Sequence, residues 1–143
     1  MIYIESALNM AGYSGTPLTK KLGIKPGYVC YVLQSPSEYF DWLSPLPQDI
    51  QIRRKLSGKL DFIHLFVTRG DRFREAFLQA KKCLKPNGML WVSWPKKSSK
   101  VETDLDENRI RDFGLKAGLV DIKVCAVDDI WSGLKFVVRK ADR

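Results

Sequence analysis

The stretch "MLWVSWPKKSSK" (residues 89–100) ends an apolar run on Trp94, Pro95, Lys96 and Lys97. An aromatic face beside two cations, where a strand gives way to a loop, suits an anionic and partly planar ligand such as a nucleotide or a phosphorylated metabolite. The same residues would equally arise as a tryptophan packed on a loop beside two solvated lysines. Thr68, Arg69 and Gly70 close a second apolar run, and Arg69 either clamps a phosphate or is simply solvated. Trp131 and Ser132 stand in "DDIWSG", whose Asp128 and Asp129 could pair with Lys96 or Lys97, although turn chemistry explains Asp, Ser and Gly there just as well. Gln34 and Ser35 open the polar segment after a third run, and "GYSGT" (residues 12–16) offers amides and hydroxyls ahead of a helix, as an anion nest or a plain cap.

Other chemistries lack their parts. His64 is the only histidine and lies inside an apolar run, which predicts a hydrogen-bonded core residue. No serine or cysteine stands in an elbow beside a second histidine, so nucleophilic catalysis has no assembled cast. Cys30, Cys83 and Cys125 are odd in number, far apart and without a CxxC pair. A zinc site made of these three and His64 would depart from the paired ligand spacing such sites use, so neither a metal site nor a catalytic residue is assigned. Unpaired thiols and the lack of a charged-then-apolar leader fit a reducing cytoplasm.

The chain carries 24 Lys and Arg against 16 Asp and Glu, a net charge of +8. Residues 1–59 hold +3 of it, residues 60–100 hold +6 and residues 101–143 hold −1. A basic middle can attract nucleic acid, phosphorylated ligands or acidic partners, yet Lys81, Lys82 and Lys85 lie where a helix ends and the dipole favours cations anyway. No nucleic-acid recognition motif accompanies the charge. No apolar run approaches the ~18 residues of a membrane helix, and 143 residues suffice for one domain with one core.

The elements that must position these residues are legible from their patterns. "YVCYVL" (28–33) and "LDFIHLFV" (60–67) are continuous β-branched and aromatic runs of the kind a sheet covered on both faces needs. "DIQIRR" reads as a short strand near an edge, and "MLWVSW" as a further central one. Thr16, Pro17 and Gly23 bracket a short helix, and Ser37 caps another before the prolines of "SPLP". From about Asp71 to Leu84 the residues Phe73, Phe77, Ala80 and Leu84 recur at helical spacing, which turns them to the sheet. Asp104 and Glu107 form a capping-box pair for a last helix closed by Gly118. "DIKVCAV" and "GLKFVVRK" then make an antiparallel pair. Strand and helix alternate with short links, so the fold class is α/β: a single-domain, doubly wound, mostly parallel Rossmann-like sheet with an antiparallel C-terminal strand pair.

"LKPNGMLWVSWPK", a helix, "AGLVDIKV" and a closing hairpin resemble the second half of a class I S-adenosylmethionine-dependent methyltransferase fold, and "LGIKPGYVCYVL" resembles its lead-in to strand one. That methyltransferase-like resemblance implies that strand one lies beside the "DFIHLFV" strand, with a ligand crevice at their carboxyl ends. The cofactor loop of such enzymes needs closely spaced glycines and an acidic residue. This chain has "QSPSEYF" there, no glycine between Gly27 and Gly58, and Arg53, Arg54 and Lys55 where a ribose-binding carboxylate belongs. The cofactor is therefore not expected in its usual pose.

A more specific resemblance is to the uncharacterised domain of unknown function 3052 family, carried by "AGYSGTPLTKKLGIKPG", "LWVSWPKKSSKVETDL" and "GLVDIKVCAVDDIWSGLKFVVRK". It implies the same small fold and no assigned activity or cofactor. Met10 precedes the first of these segments, so residues 1–9 are expected to be an extension and residues 10–143 the domain.

The leading functional expectation is a non-catalytic binding or regulatory module. Its anionic small ligand would be held by Gln34, Ser35, Thr68, Arg69, Trp94, Lys96, Lys97, Trp131 and Ser132. The alternatives are an atypical S-adenosylmethionine-dependent methyltransferase or other nucleotide-using enzyme, and nucleic-acid binding through the basic central region. No membrane partner is expected, and the oligomeric state is not legible.

Overall fold

The structure, a computed structural model, describes residues 16–143. The expected extension 1–9, its boundary at Met10 and most of "GYSGT" lie outside the described residues. The elements run α1 (Leu18–Leu22), β1 (Val29–Leu33), α2 (Tyr39–Leu43), β2 (Gln51–Arg53), β3 (Leu60–Phe66), α3 (Gly70–Cys83), β4 (Leu84–Pro95), α4 (Glu107–Lys116), β5 (Leu119–Ala126) and β6 (Trp131–Val138), with one-turn 3-10 helices at Lys97–Ser99 and Lys140–Asp142.

Six strands form one sheet in the order β2-β1-β3-β4-β6-β5. The first four are parallel, and β6 runs antiparallel to both β4 and β5. This is the doubly wound, mostly parallel sheet with an antiparallel C-terminal pair expected from the sequence, with β1 directly beside β3.

The two-residue period of the strands sorts their side chains onto two cores. Leu60, Ile63, Leu65, Leu90, Val92, Leu134 and Phe136 meet Phe73, Phe77 and Ala80 of α3 and Ile110 of α4. Phe62, Phe66, Met89 and Trp91 meet Leu18 and Leu22 of α1 and Tyr39 and Leu43 of α2 on the opposite face. Both sheet faces are thereby covered, which is why the central strands read as unbroken apolar runs. His64 belongs to the second face, fully buried, with Tyr39 Oη 2.7 Å from Nδ1 and Ser93 Oγ 2.7 Å from Nε2. Either ring tautomer pairs both ring nitrogens, since each hydroxyl can donate or accept.

The caps differ from the sequence reading. α4 starts two residues later than Asp104 predicts, because Asp106 is its N-cap and accepts from the Arg109 amide at 2.8 Å. Asp104 instead accepts from the Gly70 amide at 2.7 Å and so closes the N-terminus of α3. Neither Thr16 nor Ser37 is the N-cap of its helix; Pro17 and Glu38 occupy those positions.

Gly114 sits inside α4 where the helix presses on β6: a Cβ built there would overlap the ring of Phe136, itself fully buried against Phe77. Gly114→Ala is expected to lower stability by about 1–3 kcal/mol, the usual cost of overpacking, despite the ~1 kcal/mol that alanine gains in a helix. Urea denaturation checks this, and a midpoint above the parent's would show that α4 can lift from the sheet freely.

Candidate functional site

The carboxyl ends of β1 and β3 open into a cleft of about 450 Å³. Its floor is apolar: Tyr31 and Leu33 from β1, Leu65 and Val67 from β3, and Leu56 from the turn after β2. The other wall is α3, which contributes Arg72, Glu75, Ala76 and Gln79. These recur at i, i+3, i+4 and i+7, a second stripe adjoining the apolar one that packs on the sheet. Gln34, Thr68 and Arg69 form the rim at the strand ends. The cleft exists because the link from β2 to β3, residues 54–59, contains no helix to cover this face of β1.

Gln34 has φ +52°, a left-handed conformation that costs a residue with a Cβ on the order of 1–3 kcal/mol. The sharp exit from β1 that glycine would make easily is thus made here by a glutamine. Beyond it Pro36 accepts the Tyr39 amide at 3.0 Å and leads into α2. The missing glycines therefore remove backbone room, not the turn itself.

Of the nine ligand-binding residues expected from the sequence, only Gln34, Thr68 and Arg69 line this cleft. Arg69 is 72% exposed in its side chain and pairs with Asp71 at 3.1 Å; that pair holds the guanidinium pKa above, and the carboxyl pKa below, its ordinary range. The Thr68 carbonyl accepts from the Thr103 hydroxyl at 2.6 Å, pinning the loop before α4 to the strand end. Ser35 follows the turn but does not line the cleft.

The remaining residues stand at the same edge, since Pro95 faces Trp131 and Trp94 faces Ser132 in the β4–β6 ladder. They are largely committed to the fold. Trp94 is buried in the α3 and α4 core, whereas Trp131 packs edge-on against Phe66 on the opposite face with ring centres 5.1 Å apart. Lys96 Nζ donates to the Asp128 carbonyl at 2.7 Å and its amide donates to Ile130, so it staples the β5–β6 turn rather than facing a ligand. Asp128 turns its carboxylate to the Ile130 and Trp131 amides. Lys97 is exposed at the start of a 3-10 turn. Sequence reasoning missed Glu75, Gln79 and Arg72, whose only signal is their common spacing on α3.

No family model matches the chain, and no curated protein matches it. Solved structures do. The complex of DhpI with SAH is 11% identical with a TM-score of 0.63, covering 96% of this chain and 87% of that one. Precorrin-6y C5,15-methyltransferase from Geobacter metallireducens is 9% identical with a TM-score of 0.59, covering 85% and 86%. The fold is methyltransferase-like. Fibrillarin from Aeropyrum pernix, with natively bound S-adenosyl-L-methionine, is 13% identical with a TM-score of 0.57, covering 84% of this chain and 73% of its own.

These findings overturn the expectation of a non-catalytic binding or regulatory module. The solved structures that share the fold include methyltransferases, among them a SAM-dependent one from Aquifex aeolicus, and proteins holding SAM or SAH. That expectation weighs the missing glycines after β1 and the basic residues after β2, whereas Gln34 makes the exit turn without a glycine, at φ +52°. Among the described residues no helix is long and apolar enough to cross a membrane, and no group of three or more His, Cys, Asp and Glu is placed to hold a metal ion.

Proposed function

We propose that this chain is an atypical S-adenosylmethionine-dependent methyltransferase that holds its cofactor in the cleft beside β1 and β3. The observation that carries this reading is the position of the cleft, at the carboxyl ends of the two strands from which the chain winds outward in both directions.

The residues present fit the group. The volume is in the range of small-molecule sites, roughly 300–1,000 Å³. Tyr31, Leu33, Leu56 and Leu65 offer an apolar wall for a purine, and Glu75, Gln79 and Gln34 offer acceptors for ribose hydroxyls. Glu75 supplies from α3 the carboxylate that the basic end of β2 lacks. Arg72 adds a cation suited to a carboxylate end group. When bound, the cofactor supplies an electrophilic methyl group on a sulfonium. The chain's own contribution is orientation and exclusion of water, which positioned side chains on rigid elements can provide. Gln34, Thr68 and Arg69 keep their proposed ligand-binding role at the rim.

We also propose, on the three segments quoted above, that the chain belongs to the domain of unknown function 3052 family. Three free thiols, Cys30, Cys83 and Cys125, support a cytoplasmic location. Burial, with Asp61 as the lesser cause, pushes the Cys30 thiol up to about 12, so that residue is inert.

Titration calorimetry with S-adenosylmethionine and with S-adenosylhomocysteine tests the reading. Saturable binding in the range of about 1 μM to 1 mM is expected, weakened about tenfold or more by Glu75→Ala through loss of a charged hydrogen-bond acceptor. Absence of saturable heat with both compounds rejects the methyltransferase reading. Binding that is unchanged in Glu75→Ala rejects this placement of the cofactor.

A further inference from the structure

Four lysines gather on the α1 side of the sheet, the face opposite α3 and the cleft. Lys123 of β5 and Lys135 of β6 are direct cross-strand partners, an arrangement of like charges that weakens a sheet. Lys123 Nζ donates to the Lys21 carbonyl at 3.0 Å, and Lys21 Nζ donates to the Ala126 carbonyl at 2.9 Å. Lys135 is half-buried, its Nζ 6.0 Å from the centre of the Trp91 ring. Lys25, two residues beyond the end of α1 at Gly23, completes the group within electrostatic reach of Lys135.

Among the described residues the cluster has no acidic ion-pair partner. Ion pairs of the described residues join Arg69 to Asp71, Lys85 to Asp61, Arg109 to Asp106, and Arg111 to Glu107 and Asp121, and none of these reaches the four lysines. The charged groups acting on Lys135 are Lys123 and Lys25, with the Cys125 thiol beside them. Burial first, and those two lysines second, hold its pKa below the ordinary lysine range. A helix end explains Lys21, since cations are favoured there. It does not explain the Lys123–Lys135 pair, which costs stability unless an anion lies across it.

We propose that Lys21, Lys25, Lys123 and Lys135 form a binding site for the phosphate groups of a polyanion. Ammonium groups are compact point charges with three donors each, and the carbonyl bonds of Lys21 and Lys123 leave donors over. Four such charges with no arginine fork suit several adjacent phosphates better than a single planar carboxylate. Two sources carry that chemistry, a free polyphosphate compound and a phosphodiester backbone. The site does not depend on the methyltransferase reading.

Sodium tripolyphosphate, titrated calorimetrically into the full chain at low ionic strength, is expected to bind saturably at one site. Lys25→Gln together with Lys123→Gln and Lys135→Gln should weaken it about tenfold or more, whereas Glu75→Ala should leave it unchanged. Without ligand, Lys123→Gln alone should melt at or above the parent temperature, because it relieves repulsion; a purely structural lysine would show the reverse. Competition with a short single-stranded oligoribonucleotide separates the sources. Displacement of tripolyphosphate at lower concentration points to a phosphodiester backbone, and failure to displace it points to a free polyphosphate. No saturable binding of either probe, or equal affinity in the triple variant, overturns the site.

Discussion

Stability should fall steadily as the pH drops below about 6.5, before most carboxylates begin to titrate, because of one buried ring. His64 is fully buried between the hydroxyls of Tyr39 and Ser93 and stacks on Phe66 at 4.2 Å between centres. Burial alone pushes its pKa from the ordinary 6.5 down to about 3. The folded-state pKa therefore lies below the unfolded one, so between these values the unfolded chain binds a proton that the folded chain refuses. The contribution is fully present above pH 6.5 and is lost as the pH falls toward 3, at up to about 1.4 kcal/mol per pH unit. Over that window the loss reaches several kcal/mol, comparable with the whole stability of an ordinary domain. Urea denaturation at successive pH values checks it against His64→Gln, which starts less stable because the two hydroxyls are re-paired imperfectly, but lacks the titration. If parent and variant share one slope between pH 6.5 and 5, His64 is not the group responsible.

That ring also shows how far the sequence could be read. A lone histidine inside "LDFIHLFV" is expected to be hydrogen-bonded, and it is, but its partners come from α2 and β4, 25 and 29 residues away, and nothing local names them. The strands themselves were legible because a sheet covered on both faces demands unbroken apolar runs, and Phe73, Phe77 and Ala80 do turn to the sheet as their spacing requires. The crevice between the ends of β1 and β3 came instead from the resemblance to a methyltransferase fold, not from these patterns.

The lining of the crevice was not legible. Tyr31 and Leu33 belong to a strand read as covered, and they line a cleft only because no helix follows β2. Glu75 and Gln79 are exposed helix positions in the sequence and in the fold, and only the docking of α3 makes them the wall of a cleft. Conversely, Trp94 and Lys96 were placed at the right end of the sheet, yet one is consumed by the core and the other by a carbonyl. Charge misled in a similar way. The central third carries most of the net positive charge, whereas the four-lysine cluster is assembled from residues 21 and 25 and residues 123 and 135, which meet only through the fold.

Trp91 joins those distant pieces, and its replacement should be among the most damaging single changes. It is fully buried, and its indole N–H donates to the Leu22 carbonyl at the end of α1 at 2.9 Å, across 69 residues of sequence. One face of the ring supports Lys135 and its edge packs beside Gly133. Trp91→Ala removes the largest fully buried side chain among the described residues and is expected to cost about 3–5 kcal/mol, a large part of a typical domain's total. Trp91→Phe separates the contributions: most of the packing stays, the bond to Leu22 goes, and the loss attributable to that bond should be about 0.5–1.5 kcal/mol. Because that bond joins β4 to the end of α1, amide exchange in Leu18–Leu22 should accelerate more than exchange in α3 in the phenylalanine variant. Equal acceleration of both helices would mean that the tryptophan acts by bulk alone, and that α1, with Lys21 behind it, is held in place by its leucines.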